Sequence, residues 1–226
     1  MKSPLKIITA TAAFLGATQA YSAERYMTFS FAVGKYSNDT GGFNTAGSFS
    51  NTDTQSSGAP TVGLKYGLRD NFSIGGLPIS TEFDLSYSAN ETFTSASFPG
   101  LPTPTFFYDT EVETIRVGAS FWAPVSIGGN YRTEIGLGLG AALRDIQTFD
   151  GVVGGNDSDV APYGSVGLRH SWDVSPSGRF SVSLNYLLID DVNIALTNGG
   201  GSSAGNYSFG SKGLELSAGY TMLFGK

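Results

Sequence analysis

From Leu214 to Phe224, in LELSAGYTMLF, every second residue is apolar, and seven earlier segments repeat the same period. Successive side chains of a β-strand face opposite sides, so a period of two reads as a strand with one apolar and one polar face. The segments run Tyr26–Tyr36, Thr61–Leu68, Ile79–Ser88, Val112–Ala123, Tyr131–Ala142, Ala161–Trp172, Arg179–Ile189 and Leu214–Phe224. The fifth is the cleanest, with Tyr131, Thr133, Ile135, Leu137 and Leu139 set against Arg132, Glu134, Gly136, Gly138 and Gly140. Helical periodicity of useful length is confined to the first twenty residues. The expected fold class is all-β.

The connections narrow the choice. After the first, third, fifth and seventh segments come long polar stretches such as SNDTGGFNTAGSFSNTDTQSSGA and DDVNIALTNGGGSSAGNYSF; after the second, fourth and sixth come the shorter RDNFSIGGLP, PVSIGG and DVSPSG. Long structureless loops are unusual in a compact domain, and gathering all of them at one end is more so. An eight-stranded antiparallel up-and-down transmembrane β-barrel, with long extracellular loops and short periplasmic turns, accounts for the asymmetry.

The start of the chain fits export. MKSPLKIITATAAFLGATQAYSA has two lysines, an apolar run and then small residues, the pattern of a secretory signal peptide, with cleavage expected after Ala20 or alternatively after Ala23. Residues 21–226 then form the barrel domain. Removing Lys2 and Lys6 from 13 basic residues leaves 11 against 19 acidic ones, a formal charge of −8. That balance argues against nucleic acid as a partner. The chain has no cysteine and one histidine, which excludes disulfides, thiolate zinc sites and imidazole clusters. No cofactor is expected.

Alternation alone leaves open whether the apolar face points inward around a ligand or outward into lipid. The polar face favours the second. It carries Lys65, Arg116, Arg132 and Arg169 with Glu82, Asp84, Glu134 and Glu215, four of each sign among glycines and serines. The interior of an eight-stranded barrel is filled by side chains, so long charged residues need small neighbours and a partner of opposite sign. Tyr131, Trp172, Phe180 and Phe224 fall at expected periplasmic strand ends, where aromatic girdles form. Trp122 lies on the inward parity, so either a bulge near Pro124 shifts it or it plugs the barrel.

At Ser217 to Phe224, SAGYTMLF resembles the signal read by the barrel-assembly machinery, with Gly219, Tyr220, Met222 and Phe224 in the recognised positions. With the leader and the strand pattern, the chain resembles the small eight-stranded outer-membrane proteins of the opacity-protein and surface-antigen family. The resemblance implies a Gram-negative outer membrane, contact with its lipid and lipopolysaccharide, folding by the assembly machinery and variable exposed loops. Gly225 and Lys226 depart from the pattern, because such chains commonly end on the aromatic.

Chemistry is sparse. His170 and Ser171 are adjacent, so on a strand they face opposite sides, poor geometry for a base and its nucleophile. Glu82, Asp84 and Glu134 read as ion-pair partners rather than acid–base catalysts. The acidic GGNDSD around Asp157 reads as an ordinary loop. Phe43, Phe49, Phe93, Phe98, Phe106, Phe107 and Phe149 stand in Ser/Thr/Gly-rich loops, where so many exposed rings point to contacts with a surface ligand of a host or another cell. The expected protein is a non-enzymatic monomer with a structural or adhesin-like role; the alternative is a narrow pore or hydrophobic-solute channel.

Overall fold

A computed structural model describes residues 24–44, 47–97 and 106–224. The expected leader and its cleavage site, Phe98, Gly225 and Lys226 lie outside the described residues. Among the described residues nine strands follow in order: β1 Glu24–Asn44, β2 Gly47–Gln55, β3 Ala59–Ile74, β4 Leu77–Ser97, β5 Phe106–Ile127, β6 Tyr131–Phe149, β7 Val153–Ser175, β8 Gly178–Asn198 and β9 Ser203–Phe224. All neighbours are antiparallel, in the order β1, β3, β4 and onward to β9, and β9 pairs back onto β1 from Arg25↔Phe224 to Asn44↔Gly205. Phe29 meets Tyr220 and Phe31 meets Ala218 in that ladder. The two patterned ends of the sequence therefore close the ring and remove both edges.

The apolar face points outward. Leu137 is 62% exposed and its neighbours Ile135, Leu139, Val166 and Leu168 are likewise uncovered, whereas Glu82 on the opposite parity is 0% exposed. A belt of exposed Phe, Leu, Val and Ile around a polar interior is the reverse of a soluble barrel. Along β6 the belt runs from Tyr131 to Leu143 and stops at Asp145; along β5 it spans Ile115 to Val125 and stops at Glu113. The short turns close the other end, Gly75 and Gly76 with φ of 59° and 84° forming the tight β3–β4 hairpin.

Two expectations are corrected. Most of the long polar stretches are strand: β4 continues through ANETFTSAS, β6 through RDIQTF and β8 through DDVNIALTN. Eight residues of β5 lie beyond Thr114, an extension of about 25 Å along the strand. Antiparallel pairing satisfies the backbone without needing an apolar side chain, so polar composition hid the strand. The first long stretch also contains an additional strand, β2, which pairs with β1 from Ser37↔Gln55 to Asn44↔Gly47. It continues into β3 after a break at residues 56–58, so β2 and β3 together occupy one place in the ring.

Beyond the belt the ladder is interrupted twice. No ladder joins β2 to β4; Asn51 Nδ2 donating to the Ala96 carbonyl, and Ser57 bonded with Thr92, span that gap. Between β7 and β8, pairing stops at Tyr163↔Ile189 and resumes only at Gly154↔Thr197. The sequence enforces this seam. Ser158 N–H donates to Asp157 Oδ1 and Val160 N–H to Asp159 Oδ1, each at 2.8 Å, while Pro162 has no N–H to offer. The N–H groups of three alternate residues are thus taken or missing, and Asp159 Oδ2 instead receives the Asn193 N–H at 3.1 Å.

The outer half consequently consists of two four-stranded sheets, β8–β9–β1–β2 and β4–β5–β6–β7, packed face to face. Phe93 meets Phe209 with ring centroids 5.5 Å apart and Tyr108 meets Tyr207 at 5.3 Å, each pair crossing between the sheets. Val112, Ile146, Ile189, Val192, Ile194 and Leu196 complete a buried apolar core. Amides of Gly155–Ala161 and Asp190–Leu196 are expected to exchange with deuterium faster than those of Ile135–Leu139 in the belt. Equal protection, read by mass spectrometry in detergent, would show the seam to be laced.

Candidate functional site

The interior of the belt holds charge on inward positions of six strands. From the short-turn end, Arg132 Nη2 and Nη1 engage Asp70 Oδ1 and Oδ2 at 2.6 and 3.0 Å, and Arg132 Nε donates to Glu134 Oε1 at 2.7 Å. Glu134 Oε2 accepts Arg169 Nη2 at 2.7 Å; Arg169 Nη1 in turn bonds Glu82, and Lys65 Nζ lies 3.7 Å from Glu82 Oε2 and 3.3 Å from Asp84 Oδ1. Six of the eight residues singled out in the sequence, Lys65, Glu82, Asp84, Arg132, Glu134 and Arg169, thus form one continuous network. The other two, Arg116 and Glu215, pair separately at 2.7 Å, with Tyr36 donating to the same carboxylate at 3.0 Å.

Small inward residues make room for this. A Cβ at Gly136 would lie 2.5 Å from the Trp122 ring, and one at Gly67 would meet the Tyr26 ring at 2.1 Å. Trp122 points inward and is 3% exposed, with the Arg169 guanidinium 4.2 Å from its ring centroid. The register shift lies beyond it, between Pro124 and Ser126, so of the two expectations for Trp122 the plug is the one observed. Above Trp122 sits a cavity of about 80 Å³ lined by Lys65, Asp84, Arg116, Tyr163, Asn185 and Glu215 among others. It has room for a few waters.

Sequence reasoning missed three members. Asp70 sits in a bulge where Arg69, Asp70 and Asn71 oppose Ser80 alone, and its φ of 49° turns the carboxylate toward Arg132. In the sequence it reads as part of a turn. Glu91 and Arg144 face each other higher up at 3.6 Å; Arg144 is wholly buried, lies 4.2 Å from the Phe209 centroid and donates to Ser211 at 2.8 Å. The parity of Arg144 is legible, since it continues the inward row of Arg132 and Glu134, but the alternation that marks the fifth segment fades at Ala142.

The aromatic residues divide. Phe43, Phe107 and Phe149 are exposed, at 53%, 54% and 56%, and Phe106 is half-buried. Phe49 and Phe93, expected as exposed contacts, are buried: Phe49 stacks on Tyr108 at 5.4 Å and Phe93 packs on Phe209. They fall on the inward parity of strands extended past the membrane, where the two sheets need an apolar filling. At the opposite end Tyr131, His170, Trp172 and Phe180 form a row of rings on the outer surface, with Thr133 Oγ1 2.7 Å from His170 Nδ1. Ser171 faces inward and is buried, on the other side of the wall from His170. In β9, Gly219 packs inward against Thr28, while Tyr220, Met222 and Phe224 face outward.

No protein-family model and no curated protein matches the sequence. Solved structures do resemble it. OprG from Pseudomonas aeruginosa superposes with a TM-score of 0.53 at 11% identity, over 92% of this chain and 99% of that one. The outer membrane protease OmpT from Escherichia coli gives 0.52 at 10% identity, over 92% and 99%. A major outer membrane protein from Thermus thermophilus gives 0.51 at 9%, over 88% and 99%. The fold is that of the outer-membrane β-barrel proteins. The chain is an integral barrel whose apolar belt lies in the lipid of the outer membrane.

Glu134 lies between two guanidinium groups, so removing its charge leaves both buried and short of a partner. Glu134→Gln is expected to lower unfolding stability by about 3 kcal/mol, read as a fall in the urea midpoint of the refolded barrel. The more exposed Lys212–Asp39 pair at 3.0 Å is the contrast: Asp39→Asn should cost at most about 1 kcal/mol.

Proposed function

We propose that this barrel serves at the cell surface through its outer half, as a monomeric structural and adhesin-like protein without catalytic activity, and that its charged interior is closed to ions. The observation that carries the reading is the two-sheet extension beyond the belt. A barrel needs only about ten residues per strand to cross the membrane, and these strands run 16 to 23 residues in β3 to β9. The extra length builds a platform with its own apolar core that presents Phe43, Phe107 and Phe149 outward. Buried polar networks and a packed core both favour a fixed platform over mobile loops.

The test is binding of the purified, refolded barrel to cultured cell surfaces or extracellular matrix, beside a version whose outer halves are exchanged for those of another barrel. Loss of binding on exchange is expected; equal binding by both would remove the role from the outer half.

A second reading, a narrow pore, has the polar cavity above Trp122 in its favour. Planar-bilayer recording separates the two. Wild type is expected to be silent, whereas steady conductance steps abolished by Arg116→Ala would establish a pore.

For assembly, Gly219, Tyr220, Met222 and Phe224 would be read by the barrel-assembly machinery before β9 closes on β1, and lipopolysaccharide would surround the outer belt. Phe224→Ala should reduce the heat-modifiable folded band in outer-membrane fractions, while removal of Gly225 and Lys226 should leave it unchanged.

A further inference from the structure

The outward face of the β4–β7 sheet, above the belt, combines features that the interior network and the apolar core leave unused. Asp109, Glu111 and Glu113 occupy successive outward positions of β5, and Asp145 on β6 stands directly opposite Glu113. Like charges in opposed positions of neighbouring strands destabilise a sheet. None of these four carboxylates has a salt bridge among the described residues; Asp109 accepts a hydrogen bond from Thr94 at 2.6 Å. Of the lysines of the outer half, the exposed Lys35 and the half-buried Lys212 stand on β1 and β9 in the other sheet, and Lys212 pairs with Asp39 at 3.0 Å. A groove of about 810 Å³ crosses this face at the level of Asp109 and Glu111, running from Thr94 on β4 past Gln147, Phe149 and Asn156 to Thr197 at the end of β8. Phe107 and Phe149 leave more than half of their area uncovered beside it. Exposed rings set among uncompensated charges are the composition of a contact surface rather than of a merely solvated one.

We propose that this sheet face docks an extended, lysine- or arginine-rich polypeptide segment of a partner protein. Charge complementarity selects a cationic partner over a sulfated or phosphorylated one. The spacing selects an extended chain: outward side chains of β5 recur about every 6.6 Å along the strand, the interval between alternate residues of another extended chain. Alternating basic residues would then meet Asp109, Glu111 and Glu113 in turn, with the aliphatic stems of the basic residues lying over Phe107 and Phe149. The inference rests on the surface-interaction reading and adds to it the chemistry of the partner.

The test uses the full-length refolded barrel in lipid nanodiscs and a fluorescent peptide of alternating lysine and threonine about ten residues long, with the glutamate–threonine analogue as control. Binding is read by anisotropy at about 150 mM salt, where interactions between distant exposed charges are screened. Asp109→Asn, Glu111→Gln and Asp145→Asn combined should weaken the lysine peptide about tenfold. Asp157→Asn, Asp190→Asn and Asp191→Asn combined, which remove the same charge beside the seam, should leave binding within about twofold. Phe107→Ala with Phe149→Ala should weaken it several-fold, and heat-modifiable mobility confirms that each variant is folded. Equal loss in the two charge variants would overturn the proposal, since diffuse attraction would then suffice. So would binding of the glutamate peptide, or wild-type binding that magnesium at millimolar concentration abolishes while sodium at equal ionic strength does not, which would mark the face as a divalent-cation site. Retained cell-surface binding by the face variant would overturn this docking site alone and leave the surface role standing. Peptide binding as described, without any cell-surface binding by wild type, would support the docking chemistry and remove the adhesin reading.

Discussion

Inside hydrocarbon, a backbone N–H or C=O without a partner costs several kcal/mol, and no water is present to relieve it. Everything else in this protein is arranged around that constraint. Across the belt every strand has a partner on both sides, and the ring is completed by β9 on β1. Closure then fixes the chemistry of the two faces. The outer one must be apolar to meet lipid. The inner one is narrow and sealed from lipid, so it can hold the Asp70–Arg132–Glu134–Arg169–Glu82–Lys65–Asp84 chain of ion pairs only where glycine and serine leave space for it.

The constraint lapses where the belt ends, and the architecture changes at that level. Water can satisfy backbone groups above the membrane, so the ladder is free to part between β7 and β8 and between β2 and β4. Two facing sheets replace one cylinder, and their inner faces come close enough for Phe93, Tyr108, Tyr207 and Phe209 to touch across the gap. The Arg144–Glu91 pair lies at this boundary, bonded to Ser211 and Asn38 of the facing sheet. Polar filling below and apolar filling above follow from one change in cross-section.

Much of the ring was legible in the sequence, because a period of two over eight to twelve residues is imposed by lipid on one side and by a crowded interior on the other. The inward parity of Lys65, Glu82, Arg116 and Glu215 could be read for the same reason. The outer extensions could not: with water outside, their outward positions carry Thr, Asp and Asn, and alternation fades although pairing persists. A trace of the apolar core was present in Leu187 and Ile189, which interrupt the polar parity of the seventh segment. Asp70 was hidden differently, because a bulge breaks the period that would have revealed its direction.

By itself the sequence determined the strand count around the ring and which side of each strand is apolar. Each of these depends on the identity of alternate residues, a local property. Only the tertiary structure decided which acid meets which base, that Phe49 and Phe93 point into a core, and that the wall parts beside Asp157, Asp159 and Pro162. These depend on register between strands far apart in the chain, and a bulge of one or two residues resets register without leaving a mark in the pattern of either strand alone.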